Sequence, residues 1–165
     1  MNRIASIAEL YVHAIAIERE AAERYAELAE RMRDESNEDL AALFAGLAAL
    51  ETEHLQALER RTAGVELPPL ARSDYKWLGQ DAPESAAHEL VFRLMTPQHA
   101  LRIALGAEKR AQAFFEHVLV SADDPALRGL AREMAADEQE HVLLLERMLE
   151  STPDPLVHWE DLYEA

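Results

Sequence analysis

The feature that most constrains the fold of this chain is a short motif, Glu-x-x-His, that occurs twice. It is ETEH at residues 51–54 and EQEH at residues 138–141. In a helix, residues three apart lie on the same face, so each motif places a carboxylate beside an imidazole. Apolar residues flank both motifs at spacings of three and four, which predicts that both face the core of a helical protein. The fold must therefore accommodate two buried pairs of acid and imidazole.

The composition favours a single helical domain. The chain has 165 residues, of which 49 % are hydrophobic and only 5 are Gly. This length suits one domain, and the richness in Ala, Leu, Glu and Arg favours helices, so we expect an all-α protein. The chain contains no Cys, which excludes disulfides, thiolate metal sites and cysteine nucleophiles. Any metal must be bound by oxygen and imidazole ligands.

The charge balance excludes several classes of partner. The formal net charge is −16, which argues against nucleic acid or an anionic membrane as a partner and favours cations. The apolar run from Leu10 to Ile17 is far shorter than a membrane span, and no small-residue cleavage site follows it. We therefore expect a cytoplasmic protein that binds neither membrane nor nucleic acid.

Four long helices are predicted from apolar periodicity and from capping residues. The predicted starts are Ser6 in a capping box with Glu9, Ser36 followed by Asp39, Thr96–Pro97 and Asp124–Pro125, and the predicted ends lie near Arg33, near Thr62, and before Pro153. Only a few residues separate the first two helices, and the same holds for the last two. Such short connections predict two antiparallel helical hairpins.

The segment at residues 64–96 differs from the rest because it is rich in Pro and contains scattered aromatic residues. Bundle helices are usually joined by about two to eight residues, so a connection of about thirty predicts a long crossover that lets the second and third helices run parallel. A short helix from Glu84 to Met95 is predicted within it. We expect a four-helix bundle at residues 1–150, with the crossover at about 64–96, and a C-terminal tail at 151–165.

Each predicted helix carries one carboxylate on its apolar face. These acids are Glu18, Glu51, Glu108 and Glu138. His54 and His141 lie on the same faces of the second and fourth helices. In contrast, Glu53 and Glu140 are predicted to face water. Counted from the two predicted turns, the acids lie about 17 residues away in the first hairpin and about 15 in the second, so they meet at one height in each hairpin. Buried carboxylates cost several kcal/mol without partners. Either cations gather between them or the bundle opens.

This pattern resembles a known family. One Glu from each of two helices and Glu-x-x-His from each of the other two is the ligand set of ferritin-like di-iron carboxylate proteins. The chain resembles the rubrerythrin-like branch of that superfamily through IEREAAERY at 17–25, LETEH at 50–54, AEKRAQAFF at 107–115 and ADEQEH at 136–141. The resemblance implies a ferritin-like antiparallel four-helix bundle, the metal ligands Glu18, Glu51, His54, Glu108, Glu138 and His141, and a place near the cluster for Tyr25 as a candidate catalytic residue.

The chain also departs from the family. Rubrerythrins proper carry a cysteine-bound rubredoxin module that delivers electrons, and this chain has no Cys, so an external electron-donor protein is implied. A further glutamate of the family's third helix is replaced by Ala111, and a tyrosine often found there is replaced by Phe115. These departures concern peroxide turnover and leave the six implied ligands intact.

The chemistry of such a site allows more than one function. Four carboxylates and two imidazoles suit two iron ions per chain, with manganese or zinc as alternatives, and Glu51 and Glu138 are the natural bridging ligands. The leading hypothesis is an oxidoreductase that reduces hydrogen peroxide or O₂ as a homodimer or higher homo-oligomer. The alternatives are a ferroxidase or iron-storage protein and a structural bundle whose metals only neutralise the core acids.

Overall fold

The computed structural model of the chain describes residues 4–71 and 96–153, and every regular element within those ranges is a helix. The helices are α1 (Ile7–Asp34), α2 (Glu38–Arg61), α3 (Pro97–Ser121) and α4 (Pro125–Ser151). The all-α prediction is therefore confirmed. None of these helices combines the length and the apolar character needed to cross a membrane.

Three of the four helices begin where the capping pattern predicts. The side chain of Ser6 accepts a hydrogen bond from the Glu9 backbone N–H, and Thr96 accepts one from the N–H of His99. Asp124 caps α4 in the same way, with Pro125 at the first helical position. Each cap satisfies a backbone donor that the first turn of a helix leaves unpaired.

The predicted start of α2 at Ser36 is wrong, because Asn37 is the N-cap and its side chain accepts from the Leu40 N–H. Ser36 instead takes the left-handed conformation, with φ of 56°. The N–H groups of Ser36 and Asn37 bond to the carbonyls of Arg33 and Met32, which is the Schellman pattern that ends a helix. One residue therefore closes α1, and the next opens α2.

Side-chain contacts fix the directions of the helices. Arg19 on α1 bonds Glu59 on α2, which makes the first hairpin antiparallel. On α1 and α3, His13 stacks on Phe114 while Tyr25 bonds Glu108, so these two helices are also antiparallel. Because α2 and α3 both oppose α1, they run parallel, as a long crossover requires. The predicted short helix from Glu84 to Met95 and nearly all of the tail lie outside the described residues.

Within residues 4–71 and 96–153, the apolar core forms two clusters, and each of them contains residues from all four helices. The first lies at the end of the bundle where the chain begins and includes Leu10, Ile17, Leu58, Phe114, Phe115 and Leu127. The second lies at the other end and includes Leu28, Met32, Phe44, Leu101 and Leu145. Within each helix, the change from one cluster to the other occurs at the inward-facing carboxylate. A polar layer therefore separates two apolar ends.

Candidate metal centre

The six side chains singled out by the sequence pattern converge in this polar layer. Glu18, Glu51, Glu108, Glu138 and His141 are all buried, with no more than 4 % of any of these residues exposed. The side chain of His54 is 27 % exposed. The neighbouring Glu53 and Glu140 are exposed, as predicted. The helical phase deduced from the sequence is correct for both motifs.

Glu51 occupies the middle of the cluster. Its Oε1 lies 2.9 Å from Nδ1 of His141, and its Oε2 lies 3.6 Å from Nδ1 of His54. The two imidazole rings face each other, with centroids 5.7 Å apart and planes 12° apart. One carboxylate therefore presents an oxygen to each histidine, which is the arrangement expected of a ligand shared by two ions.

The remaining carboxylates divide between the two histidines. Oε2 of Glu18 lies 3.7 Å from Nδ1 of His54. Oε2 of Glu108 and Oε2 of Glu138 lie 3.5 Å and 3.9 Å from Nδ1 of His141. Two overlapping groups have ligand atoms all within 4.8 Å of one another: Glu51 with His54 and His141, and Glu108 with Glu138 and His141. Each of these groups could hold a metal ion.

Unpaired buried atoms test whether a metal fits. Glu51 Oε1, His54 Nδ1 and His141 Nδ1 are buried without a hydrogen-bond partner. The 2.9 Å contact between Glu51 and His141 brings the two atoms close without hydrogen-bond geometry. Buried polar atoms without partners are costly, whereas all three are good ligands for a divalent cation. The donor set and its unsatisfied atoms fit a bound metal.

Burial and mutual contacts shift the pKa values of the groups in this layer in different directions. Burial raises the pKa of Glu18 to about 8 and holds that of Glu138 well above its ordinary range. Burial alone would also raise the pKa of Glu51, but its contacts with His141, His54 and Glu18 outweigh burial and lower it to about 2. Contacts with Glu18 and Glu51 raise the pKa of His54 to about 10. Burial lowers the pKa of His141, but contacts with Glu108 and Glu51 outweigh it and raise the value to about 10.

Tyr25 borders the layer, as the sequence resemblance implies. It is fully buried, its hydroxyl donates a hydrogen bond to Oε1 of Glu108, and its ring stacks on Phe44 with centroids 6.0 Å apart. Burial and the charge of Glu108 raise the pKa of its hydroxyl. Ala111 and Phe115 are buried in the first cluster. Tyr25 is therefore a protonated donor that fixes the orientation of one carboxylate.

Comparison with known proteins gives the family of this chain and a solved structure of similar fold. The rubrerythrin family model matches residues 9–96, which is more than half of the chain. The chain belongs to the rubrerythrin family. Its fold is similar to the crystal structure of an uncharacterized conserved protein from Magnetospirillum magnetotacticum MS-1, with a TM-score of 0.81 and 37 % identity over 93 % of this chain and 99 % of the other. None of the curated proteins matches the chain.

The match to the rubrerythrin family model ends before α3, so it does not cover the second hairpin, which consists of α3 and α4. The structural similarity covers nearly the whole chain, and Glu108, Glu138 and His141 complete the layer begun by the first hairpin. One neighbour of the site was not singled out by sequence reasoning. Asp137 is half-buried on α4 and interacts electrostatically with His54 and His141. Its position four residues before His141 is the signal that could have indicated it.

Proposed function

We propose that this rubrerythrin-family protein binds two iron ions in the polar layer and reduces hydrogen peroxide, or O₂, with electrons from a separate donor protein. The observation that carries the proposal is Glu51, whose two oxygens face His54 and His141 at the centre of a layer that holds three further carboxylates. The four carboxylates of this layer match the charge of two divalent ions. When bound, two ferrous ions would together supply the two electrons that, with two protons, convert one hydrogen peroxide to two water molecules.

The side chains have distinct roles in this proposal. Glu51 and Glu138 would be shared by the two ions, Glu18 and His54 would also hold one of them, and Glu108 and His141 would also hold the other. Tyr25 holds Glu108 in place through its hydroxyl. The two apolar clusters exclude water from both sides of the layer, which strengthens the attraction between the carboxylates and the cations.

Electron delivery is assigned to another molecule because this chain has no Cys with which to bind a rubredoxin-type iron. We place the protein in the cytoplasm as a homodimer or higher homo-oligomer. A ferroxidase or storage role is the alternative, and a large assembly would favour it. Size-exclusion chromatography with light scattering distinguishes a small oligomer from such an assembly.

Anaerobic titration with Fe(II), followed by stopped-flow mixing with either hydrogen peroxide or O₂, tests the function. The proposal expects saturation at two irons per chain and a faster reaction with peroxide than with O₂. Continued uptake well beyond two irons, or faster oxidation by O₂, would replace peroxide reduction with ferroxidase or oxidase chemistry.

Matched variants distinguish the loss of a proposed ligand from the loss of an exposed negative charge. Glu51→Gln with Glu138→Gln removes the two proposed bridging charges and should abolish both saturable iron binding and peroxide reduction. Glu53→Gln with Glu140→Gln makes the same chemical change two residues away on exposed positions and should leave both unchanged. Equal iron binding by the two double variants would refute the proposed ligands.

A further inference from the structure

Among the six proposed ligands, only His54 is substantially accessible to solvent. Its side chain is 27 % exposed, whereas the side chains of its nearest carboxylates, Glu18 and Glu51, are each 2 % exposed. The ring turns Nδ1 inward, 3.7 Å from Glu18 and 3.6 Å from Glu51, and that atom is itself buried. The imidazole of His54 therefore stands between the carboxylates and the solvent.

Asp137 lies near His54. It is half-buried and interacts electrostatically with both His54 and His141. It precedes His141 by one helical turn. One turn before Asp137, Glu133 forms an ion pair with Arg61 at 2.6 Å, which joins α4 to α2. Asp137 therefore lies in the α2–α4 groove, between that ion pair and the side chain of His54.

The position of Asp137 suits the capture of a cation better than permanent binding. Among the described residues, it belongs to neither of the two groups whose ligand atoms lie within 4.8 Å of one another. A carboxylate that is partly withdrawn from water attracts a divalent cation more strongly than a fully solvated one, because its charge is less screened. A partly exposed side chain such as His54 can also change rotamer rapidly.

We propose that divalent cations enter the site through the α2–α4 groove, with Asp137 as the capturing residue and the ring of His54 as the gate. This inference rests on the proposed metal centre and adds a route to it. The incoming hydrated cation meets the carboxylate of Asp137 first. It passes inward when the ring of His54 turns, and the ring then returns to coordinate it. Asp137 affects the rate of loading and leaves the bound state unchanged.

The test is the rate at which the metal-free full chain binds Co(II), followed by stopped-flow absorption of the bound ion at low ionic strength. Asp137→Asn keeps the size of the side chain and removes its charge. We expect about a fivefold lower association rate constant, with the Co(II) stoichiometry and the spectrum at saturation unchanged. The deficit should shrink in 0.5 M NaCl, since added salt screens the attraction.

Glu140→Gln is the matched control, because it removes one negative charge from an exposed position on the same helix. It should slow association by less than twofold. The route is overturned if Asp137→Asn binds Co(II) as fast as the unmodified chain, if both variants are slowed equally, or if Asp137→Asn lowers the stoichiometry. Absence of saturable Co(II) binding by the unmodified chain is a different result, and it would overturn the metal centre together with the route.

Discussion

Two chemically identical substitutions in the metal-free protein should change stability in opposite directions. Glu18→Gln replaces a carboxyl whose pKa is raised to about 8, chiefly by burial. Glu51→Gln replaces a carboxyl whose pKa is lowered to about 2 because its contacts with the two histidines and Glu18 outweigh burial. The first group is neutral at pH 7 and the second is ionised. An amide resembles the protonated form of a carboxyl. It should therefore stabilise the folded protein at position 18 and destabilise it at position 51.

The magnitudes follow from proton linkage. Above its ordinary pKa of 4.5, Glu18 loses its proton in the unfolded chain while the folded protein keeps it up to about pH 8. Each pH unit within that window costs the folded state about 1.4 kcal/mol, so the cost at pH 7 is about 3 kcal/mol. Glu18→Gln should recover most of it, whereas near pH 4.5 the gain should vanish.

For Glu51 the sign is reversed. The folded protein holds the ionised form down to about pH 2, whereas the unfolded chain protonates near 4.5. This difference contributes about 3 kcal/mol, which is present at all pH values above 4.5 and is lost only as the pH falls towards 2. Glu51→Gln should therefore lower the free energy of unfolding by about 3 kcal/mol at both pH 5 and pH 7.

Urea unfolding in the presence of a chelator, followed by circular dichroism at pH 5 and pH 7, measures these differences. Glu53→Gln is the exposed control and should shift the free energy by less than about 0.5 kcal/mol. A shift of the same sign for Glu18→Gln and Glu51→Gln would refute the unequal sharing of protons within the layer. So would a gain for Glu18→Gln that did not depend on pH.

Three further predictions concern the site and the first turn. Loading the site at pH 7 should release about three protons, because His54, His141 and Glu18 are protonated in the metal-free protein. Release of fewer than two protons, measured with an indicator dye, would contradict this. Tyr25→Phe should lower the free energy of unfolding in urea by about 2 kcal/mol, because Glu108 loses a buried donor, and no loss would show that another group replaces the hydroxyl. Ser36→Gly should raise the melting temperature and increase the free energy of unfolding by about 0.5–1 kcal/mol, because glycine adopts the φ of 56° at this position without strain. A lower melting temperature would mean that the serine side chain stabilises the turn.

The sequence predicted the layer because helical phase and hairpin geometry are local properties. A spacing of three places Glu and His on one face, and equal distances from a turn place residues of paired helices at one height. The start of α2 was not predictable in this way, because Ser36 and Asn37 are both good caps. The choice between them depends on which residue takes the left-handed conformation that ends α1.

The difference in exposure between His54 and His141 could not be predicted either. Both occupy the same place in the same motif, and the difference arises from how closely the surrounding helices pack around each one. The different pKa values of Glu18 and Glu51 could not be predicted from the sequence, because they depend largely on contacts of about 3–4 Å between side chains of different helices. Glu18 and Glu51 look alike in the sequence, and only their contacts distinguish them.

The division of the core has a consequence for how this protein can change during evolution. Each end of the bundle closes its own apolar core with residues from all four helices, and the polar layer lies between the two ends. Residues such as Phe44 and Phe114 belong to different cores, so substitutions of the two should have additive effects on stability. One end can therefore acquire a new surface for an electron donor or a second subunit while the other end keeps the ligand layer in register.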